Sequence, residues 1–439
     1  MSMFGSIAQS AREDRLVLTL SASYDGADFF IKFWDTNNNS DVLYEYEKTD
    51  DSSITGSGEL LNGPYLTDII VPSGGNYKLY VRPSGSDYGY QRRIKPNFGA
   101  SSTTNPAFNN TNKTHLLSID NWGNYPIYYS TSDAFYLCPN FDILASDCPL
   151  LYGSTPTSKN VSLYRWFQSS GIKNNNHSLK NWEINRVNNM SNLFLNALHL
   201  DGRIDLGDWD ISGLAGGGLT STFYGNPLSC SLATKYVKKY GREYIAWDTE
   251  NITSLDQTFR CISSSTGSRD ITIEGIDNWN TSNVTTLRAT FMGSYSVSSY
   301  WSKFNPNLDL STKPVTVGAG TPLEKTYNAW DVSKVTSFGH NDGNNHSWGT
   351  FAKTTFNSDI SNWQICTSSD VMMHGMFMSC KDFNQPITGS TVTVGSSTYK
   401  AWDVSRVTDF RSMFRMDFHG FHTMSFQQPI GKWGNDMRN

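Results

Sequence analysis

Charge is scarce in this chain. Only 17% of its 439 residues are Asp, Glu, Lys or Arg, and the formal net charge is −5. That balance lends nothing to a nucleic-acid partner, which calls for a basic surface. No apolar run is long enough to span a bilayer, so membrane insertion is not expected. The opening residues Met1-Ser2-Met3-Phe4-Gly5-Ser6 lack a basic stretch followed by an apolar one, so a secretory leader is not expected. The six cysteines, Cys138, Cys148, Cys230, Cys261, Cys366 and Cys380, have no metal-type spacing. Cys138 could pair with Cys148, and Cys366 with Cys380; buried free thiols are the preferred reading.

Signatures of catalysis are also missing. No nucleophile elbow, phosphate loop or zinc motif occurs. His419 and His422 stand beside Phe418 and Phe421 and read as surface or packing histidines rather than a metal pair. Asp205 and Asp208 are close in sequence, but nothing sets them across a cleft at the separation that glycoside hydrolysis needs. No enzymatic activity, cofactor or metal is expected. A polysaccharide-degrading scaffold is the enzyme alternative, and it would require carboxylates clustered along one face.

What the chain does contain is a repeat. A tryptophan is followed by aliphatic residues at fixed offsets and by a phenylalanine twelve residues on. The copies read Trp182, Ile184, Val187, Met190, Leu193, Phe194; Trp247, Thr249, Ile252, Leu255, Thr258, Phe259; Trp279, Thr281, Val284, Leu287, Thr290, Phe291; and Trp402, Val404, Val407, Phe410, Met413, Phe414. Longer copies begin at Trp209, Trp330 and Trp363. A weaker one begins at Trp122, and a last one, cut short, at Trp433. The extra length at Trp209 falls on Gly216, Gly217 and Gly218, and that at Trp330 falls around 341–345. Upstream of the tryptophan stands a second element, as in Phe356-Asn357-Ser358-Asp359-Ile360 and Phe426-Gln427-Gln428-Pro429-Ile430.

A period of roughly 27 to 33 residues predicts stacked units, because one unit cannot bury its apolar face alone. The offsets fit neither one helix nor one strand. An extended stretch with turns, closed by a short helical turn as at 255–259, is the expected unit. Asp403 and Ser405, like Asp331 and Ser333, suit side-chain to backbone bonds at turns. Segments 390–399 and 313–327 alternate β-branched residues around glycine and predict β-hairpins, and 232–244 occupies the same slot.

Trp402-Asp403-Val404-Ser405-Arg406-Val407-Thr408, with Met413-Phe414 and Phe383-Asn384-Gln385-Pro386-Ile387, closely resembles the BspA-like leucine-rich-repeat surface proteins. Trp330-Asp331-Val332-Ser333-Lys334-Val335-Thr336 is a second match. The resemblance covers about 115–439. It implies a leucine-rich-repeat solenoid, and adhesion or host recognition by a cell-surface or virion-associated protein. The chain departs from the pattern in its irregular insertions and degraded first units.

Residues 1–92 lie outside the repeat. Short apolar or alternating runs separated by Asp, Asn, Gly and Ser read as a small antiparallel β-domain, sandwich-like, suited to docking. Residues 93–114 read as a linker, and 115–439 as the solenoid with hairpin insertions. The fold class expected is therefore β-rich with short helical turns.

Residues between the aliphatic positions should face solvent in columns: Asn188 and Asn189, Thr253 and Ser254, Thr285 and Thr286, Thr336 and Ser337, Thr408 and Asp409. The inserts add Tyr300, Trp301, Tyr327 and Tyr399, with Tyr295 nearby. Stacked hydroxyls and amides could bond a glycan or a protein, and exposed aromatics suit sugar stacking or hot spots; simple solvation of the sheet, or packing against the solenoid, is the alternative.

The combined expectation is a non-enzymatic bacteriophage virion protein on the virion surface. It would be a tail fibre or similar appendage, joined to other virion proteins through the N-terminal domain and binding a host-surface glycan or protein. The missing leader motivates this, since phage structural proteins assemble in the host cytoplasm. A secreted or cell-surface microbial adhesin, and a structural capsid or tail decoration protein, are the alternatives.

Overall fold

The computed structural model describes residues 14–22, 28–31, 33–34, 42–60, 67–83, 95–96, 98, 114–155, 157–173, 178–197, 204–226, 229–239, 241–261, 272–293, 308–340, 348–416 and 424–435. The structure is β-rich with almost no helix: short strands and consecutive turns dominate, with three brief 3-10 turns. The chain divides into two compact units, Met1–Ile204 and Asp205–Asn439.

In the first unit a six-stranded sheet forms around Leu16–Ala22. That strand pairs antiparallel with Gly75–Pro83 on one side and with Leu116–Asn121 on the other. Val42–Lys48 and then Thr55–Leu60 extend the sheet beyond Gly75–Pro83, and Asp142–Ile143 joins Leu116–Asn121 in parallel. Alternation along each strand fixes the register. Leu16, Leu18 and Leu20 face Val81, Leu79 and Tyr77 across the pair, and all six are buried. A slip of one residue would turn this set to solvent. Tyr44 and Tyr46 lie over Gly58 and Gly56, their cross-strand partners, where a Cβ would meet the rings at 2.6 and 2.4 Å. The strand Leu116–Asn121 thus ties the segment that opens the repeats to the N-terminal sheet. Most of 93–114 lies outside the described residues.

In both units the repeats pack by one rule. The phenylalanines form a ladder. In the first unit Phe135, Phe167 and Phe194 stand 5.7 Å apart in sequence. In the second, Phe223, Phe259, Phe291, Phe351, Phe377 and Phe414 stack at 5.7–5.8 Å with their planes within 10°. The tryptophans stack beside them, as in Trp247 on Trp279 and Trp330 on Trp363. In the second unit indole N–H groups bond across repeats, whereas those of Trp122, Trp182 and Trp433 meet no partner among the described residues. Trp247, Trp330 and Trp402 donate to the carbonyls of Leu206, Ile276 and Ile360, all at 2.7 Å. Each acceptor lies three residues before the preceding tryptophan, so the bond sets the spacing of neighbours as well as paying no desolvation cost.

The segment 255–259 is not helical. Thr258 and Arg260 amides donate three residues back, while Leu255, Gln257 and Phe259 amides donate to Thr286, Arg288 and Thr290 of the next repeat. Turn bonds and inter-repeat bonds alternate. The backbone enforces this with left-handed residues two before the phenylalanine, at Asn192, Ser221, Gln257, Ala289 and Ser412. A helix cannot run through such residues. The 3-10 turns sit elsewhere: Ser178–Asn181 and Ile276–Asn278 lead into tryptophans, and Gly431–Asn435 contains one.

Three hairpins form in the second unit: Lys235–Lys239 with Arg242–Ala246, Lys313–Val317 with Lys325–Ala329, and Thr391–Val394 with Ser397–Lys400. Each ends at a tryptophan, and those three, Trp247, Trp330 and Trp402, have φ of 49°, 47° and 50°. Trp279, entered from a 3-10 turn, has φ −68°. A left-handed bulky residue costs about 1–3 kcal/mol. Here the turn out of the hairpin demands it, and the buried indole offsets it.

Candidate binding surface

The polar column lies on the parallel bridges that join the repeats. Ser254 bridges Thr286, Thr286 bridges Ser337, Ser337 bridges Met372, and Met372 pairs with Asp409. On this run Thr253, Thr285 and Thr408 are exposed, and Thr336 is half-buried. Three of these hydroxyls turn to the neighbouring backbone: Thr285 Oγ1 donates to the Thr253 carbonyl, Thr336 Oγ1 to that of Thr285, and Thr408 Oγ1 to that of Val371. The outward surface is then methyl groups and hydroxyl lone pairs. Met372, which the offsets miss because its repeat carries an insertion, occupies the threonine position and is 38% exposed. In the first unit Asn188 is exposed, and Asn189 Oδ1 accepts the Ser191 amide.

The aromatic candidates fall in two groups. Tyr295, Tyr300 and Trp301 lie outside the described residues, as do His419, His422 and the insert at 341–345. Tyr327 and Tyr399 are half-buried, and their hydroxyls are committed. Tyr327 donates to the Asn278 carbonyl at 2.6 Å and Tyr399 to that of Asn362 at 2.6 Å, as Tyr244 does to Asp208 at 2.7 Å. Each acceptor stands just before a tryptophan. Burial raises the hydroxyl pKa of both, that of Tyr327 to about 12.

Asn278 and Asn362 act as clamps. Asn278 Oδ1 accepts the Thr234 amide at 3.0 Å while its Nδ2 donates to the Thr234 carbonyl at 2.8 Å. Asn362 grips Thr312 in the same two bonds, at 3.0 and 2.8 Å. Each clamp holds the base of the preceding hairpin, while the same residue's carbonyl receives the tyrosine of the following one. The hairpins also touch one another. A Cβ on Gly318 would lie 3.3 Å from Ile245, and one on Gly395 would lie 3.4 Å from Pro314. Their outer faces carry hydroxyl pairs, Thr316 with Thr326 and Thr393 with Thr398, and on the first hairpin the ion pair Lys238–Glu243.

A second polar ladder runs through the upstream element. Gln385 Nε2 donates to Asn357, and Gln428 Nε2 to Asn384, each reaching both carbonyl and side-chain oxygen. Buried charge is paired between repeats: Arg288 makes a two-pronged bond to Asp256. Arg260 is sandwiched between the rings of Tyr224 and Trp348 at 4.9 and 4.0 Å. Asp208 binds Lys235 and Lys239. Burial pushes its pKa up, but the two lysines outweigh this and hold the carboxyl below its ordinary value. A carboxylate so held is a poor proton donor. Asp205 accepts the Gly207 amide.

Among the described residues no three His, Cys, Asp or Glu side chains converge where a metal could sit, and no helix is long and apolar enough to cross a membrane. All six cysteines are free thiols, and burial pushes that of Cys380 to about 12.

His374 is buried, with Nδ1 3.4 Å from Asp409. Burial lowers its pKa; Asp409 pulls it up, Arg411 and His340 push it down, and the net shift is downward from 6.5. The unfolded chain therefore takes up the proton first as pH falls. The contribution is complete above the ordinary histidine value and drains as pH drops below it, until the native ring protonates. Melting temperature is expected to fall between pH 7 and pH 5, and H374Q is expected to flatten that part of the profile. An unchanged profile would remove His374 as its cause.

The pattern of the family described as "Mycoplasma protein of unknown function, DUF285" matches residues 103–225, 229–341 and 319–438. No curated protein and no solved structure matches the chain significantly. The match overturns the resemblance to BspA-like leucine-rich-repeat proteins, for which no family pattern matches. The shared offsets reflect a buried interior that many short repeats need, and here that interior is a tryptophan and phenylalanine ladder. The chain belongs to the DUF285 family.

Proposed function

We propose that the repeats of 205–439 continue one solenoid, and that the protein is a non-enzymatic recognition scaffold displayed at a virion or microbial cell surface. One observation carries this reading. The interior and the backbone bonds are spent on joining repeats, which leaves Thr253, Thr285, Thr336, Met372 and Thr408 as an outward column on bridged strands. Parallel strands repeat at about 4.8 Å, so such a column is preorganised and binds without paying to order itself. The partner is a host-surface glycan or protein. The virion placement makes the chain a tail-fibre-like appendage or a decoration protein. The family's printed description, which refers to Mycoplasma proteins, favours the cell-surface adhesin.

Two experiments test the reading. Mass spectrometry of purified particles and of the cell-surface fraction decides the placement. The column is tested by T253R with T285R, both at exposed positions, which are expected to abolish adhesion while shifting stability by no more than about 0.5 kcal/mol. Full adhesion by the double variant would exclude the column. Docking through the N-terminal region should be tested by surface substitutions there rather than by deleting 1–110. Leu16–Ala22 covers the edge of Leu116–Asn121, so its removal would expose the buried Leu116 and Ile119.

A further inference from the structure

The repeat that begins at Trp363 breaks the pattern of the threonine column. Its neighbours each set two residues on the bridged strand, Thr336 with Ser337 and Thr408 with Asp409. Here Met372 stands alone between them, bridged to Ser337 on one side and paired with Asp409 on the other. The register shifts at this point: Val371 pairs with Val407 and Met372 with Asp409, so Thr408 is skipped. One long unbranched side chain spans the gap. Its backbone is engaged on both sides, the amide donating to the Thr336 carbonyl and the carbonyl accepting the Phe338 amide, each at 2.8 Å. Met373, Met376 and Met378 of the same repeat are buried, whereas Met372 is 38% exposed and the most exposed of the described methionines.

We propose that Met372 is an oxidation site that switches the column off. The inference rests on the column being the recognition surface. The oxidant is hydrogen peroxide. One peroxide oxygen passes to the thioether sulfur: an S–O bond forms, the O–O bond breaks and water leaves. The sulfur loses two electrons and the peroxide gains them. In the free protein the new oxygen faces water, so the fold keeps its stability. Under a partner the oxygen is stranded, because none of the four flanking residues has a proton to give it. The hydroxyl protons of Thr336, Ser337 and Thr408 go to the carbonyls of Thr285, Gly339 and Val371. Asp409 is a carboxylate held by the Arg411 guanidinium. A sulfoxide accepts hydrogen bonds where a thioether hardly does, and covering an unsatisfied acceptor weakens binding by about tenfold.

The full chain is treated with dilute hydrogen peroxide, and the sulfoxide is located by peptide mass spectrometry. Binding to immobilised mucin, a probe that offers both glycan and polypeptide, is measured before and after. Met372 is expected to oxidise ahead of the other described methionines, with an unchanged melting temperature and an about tenfold loss of mucin binding. Methionine sulfoxide reductase with dithiothreitol is expected to restore the binding, the thiols supplying two electrons and the oxygen leaving as water. M372L, of similar volume, is expected to give the same binding with and without peroxide, which assigns the loss to this sulfur and not to a cysteine. Oxidation of the buried Met376 ahead of Met372, a treated parent that binds as before, or an equal loss in M372L would each overturn the switch. Mucin binding that survives T253R with T285R, or that the untreated parent lacks, would instead count against the column itself, and the switch would fall with it.

Discussion

Trp363→Ala is expected to destabilise the second unit by roughly 3–5 kcal/mol, the range for removing a large aromatic from a packed core. The side chain is fully buried between Trp330 and Trp402, with centroids at 6.5 and 6.3 Å, and Phe338 and Phe351 close its flanks at 6.0 and 6.1 Å. Its Nε1 donates to the Leu310 carbonyl at 2.7 Å. The two contributions are separable. Trp363→Phe keeps most of the ring area but strands that carbonyl, at about 1–3 kcal/mol. Repeats are stabilised by their nearest neighbours, so the alanine variant should also decouple the repeats on either side and broaden the urea transition. A loss below about 1 kcal/mol by urea titration would mean that the ladder relaxes around the gap and is not the main source of stability.

The ladder itself was legible in the sequence, because a buried ring must recur at the same offset in every repeat. The β-rich class and two hairpin segments, 313–327 and 390–399, were legible for a similar reason, since alternation around glycine has a period of two; 232–244 shared their slot but is less regular. What could not be read at 255–259 was the left-handed residue. Gln257 and Ala289 are unremarkable helix formers, and φ is set there by the inter-repeat bonds of their neighbours. Tyr327 and Tyr399 looked like exposed recognition residues because offsets carry no information about a hydroxyl reaching across to a backbone carbonyl. Asn278 and Asn362 went unnoticed for the converse reason: an asparagine before tryptophan reads as a turn residue until its partner, 44 or 50 residues away, is seen. The family resemblance failed because offsets describe a buried interior without specifying which repeat builds it.

The hairpins precede Trp247, Trp330 and Trp402, and among the described residues none stands before Trp209, Trp279, Trp363 or Trp433. Strict alternation follows from two lengths. Neighbouring strands in a sheet lie about 4.8 Å apart, but sheets packed face to face need about 10 Å. A hairpin fits at every second repeat and not at every one, and the repeat between supplies the clamping asparagine. Grafting a copy of 313–329 between Asn362 and Trp363 should therefore fail in a defined way. Three hairpins would compete for the room of two, the Asn362 clamp on Thr312 would open, and Tyr399 would lose its acceptor. Three bonds at about 1 kcal/mol each predict a loss of roughly 3 kcal/mol in urea, with faster hydrogen exchange at Thr312. Replacing 390–401 by a short Ser-Asn linker, the form seen before Trp363, should cost much less, since that hairpin's outer face covers no other described hairpin. If the graft proved as stable as the parent, the alternation would be an accident of this sequence and not a consequence of sheet packing.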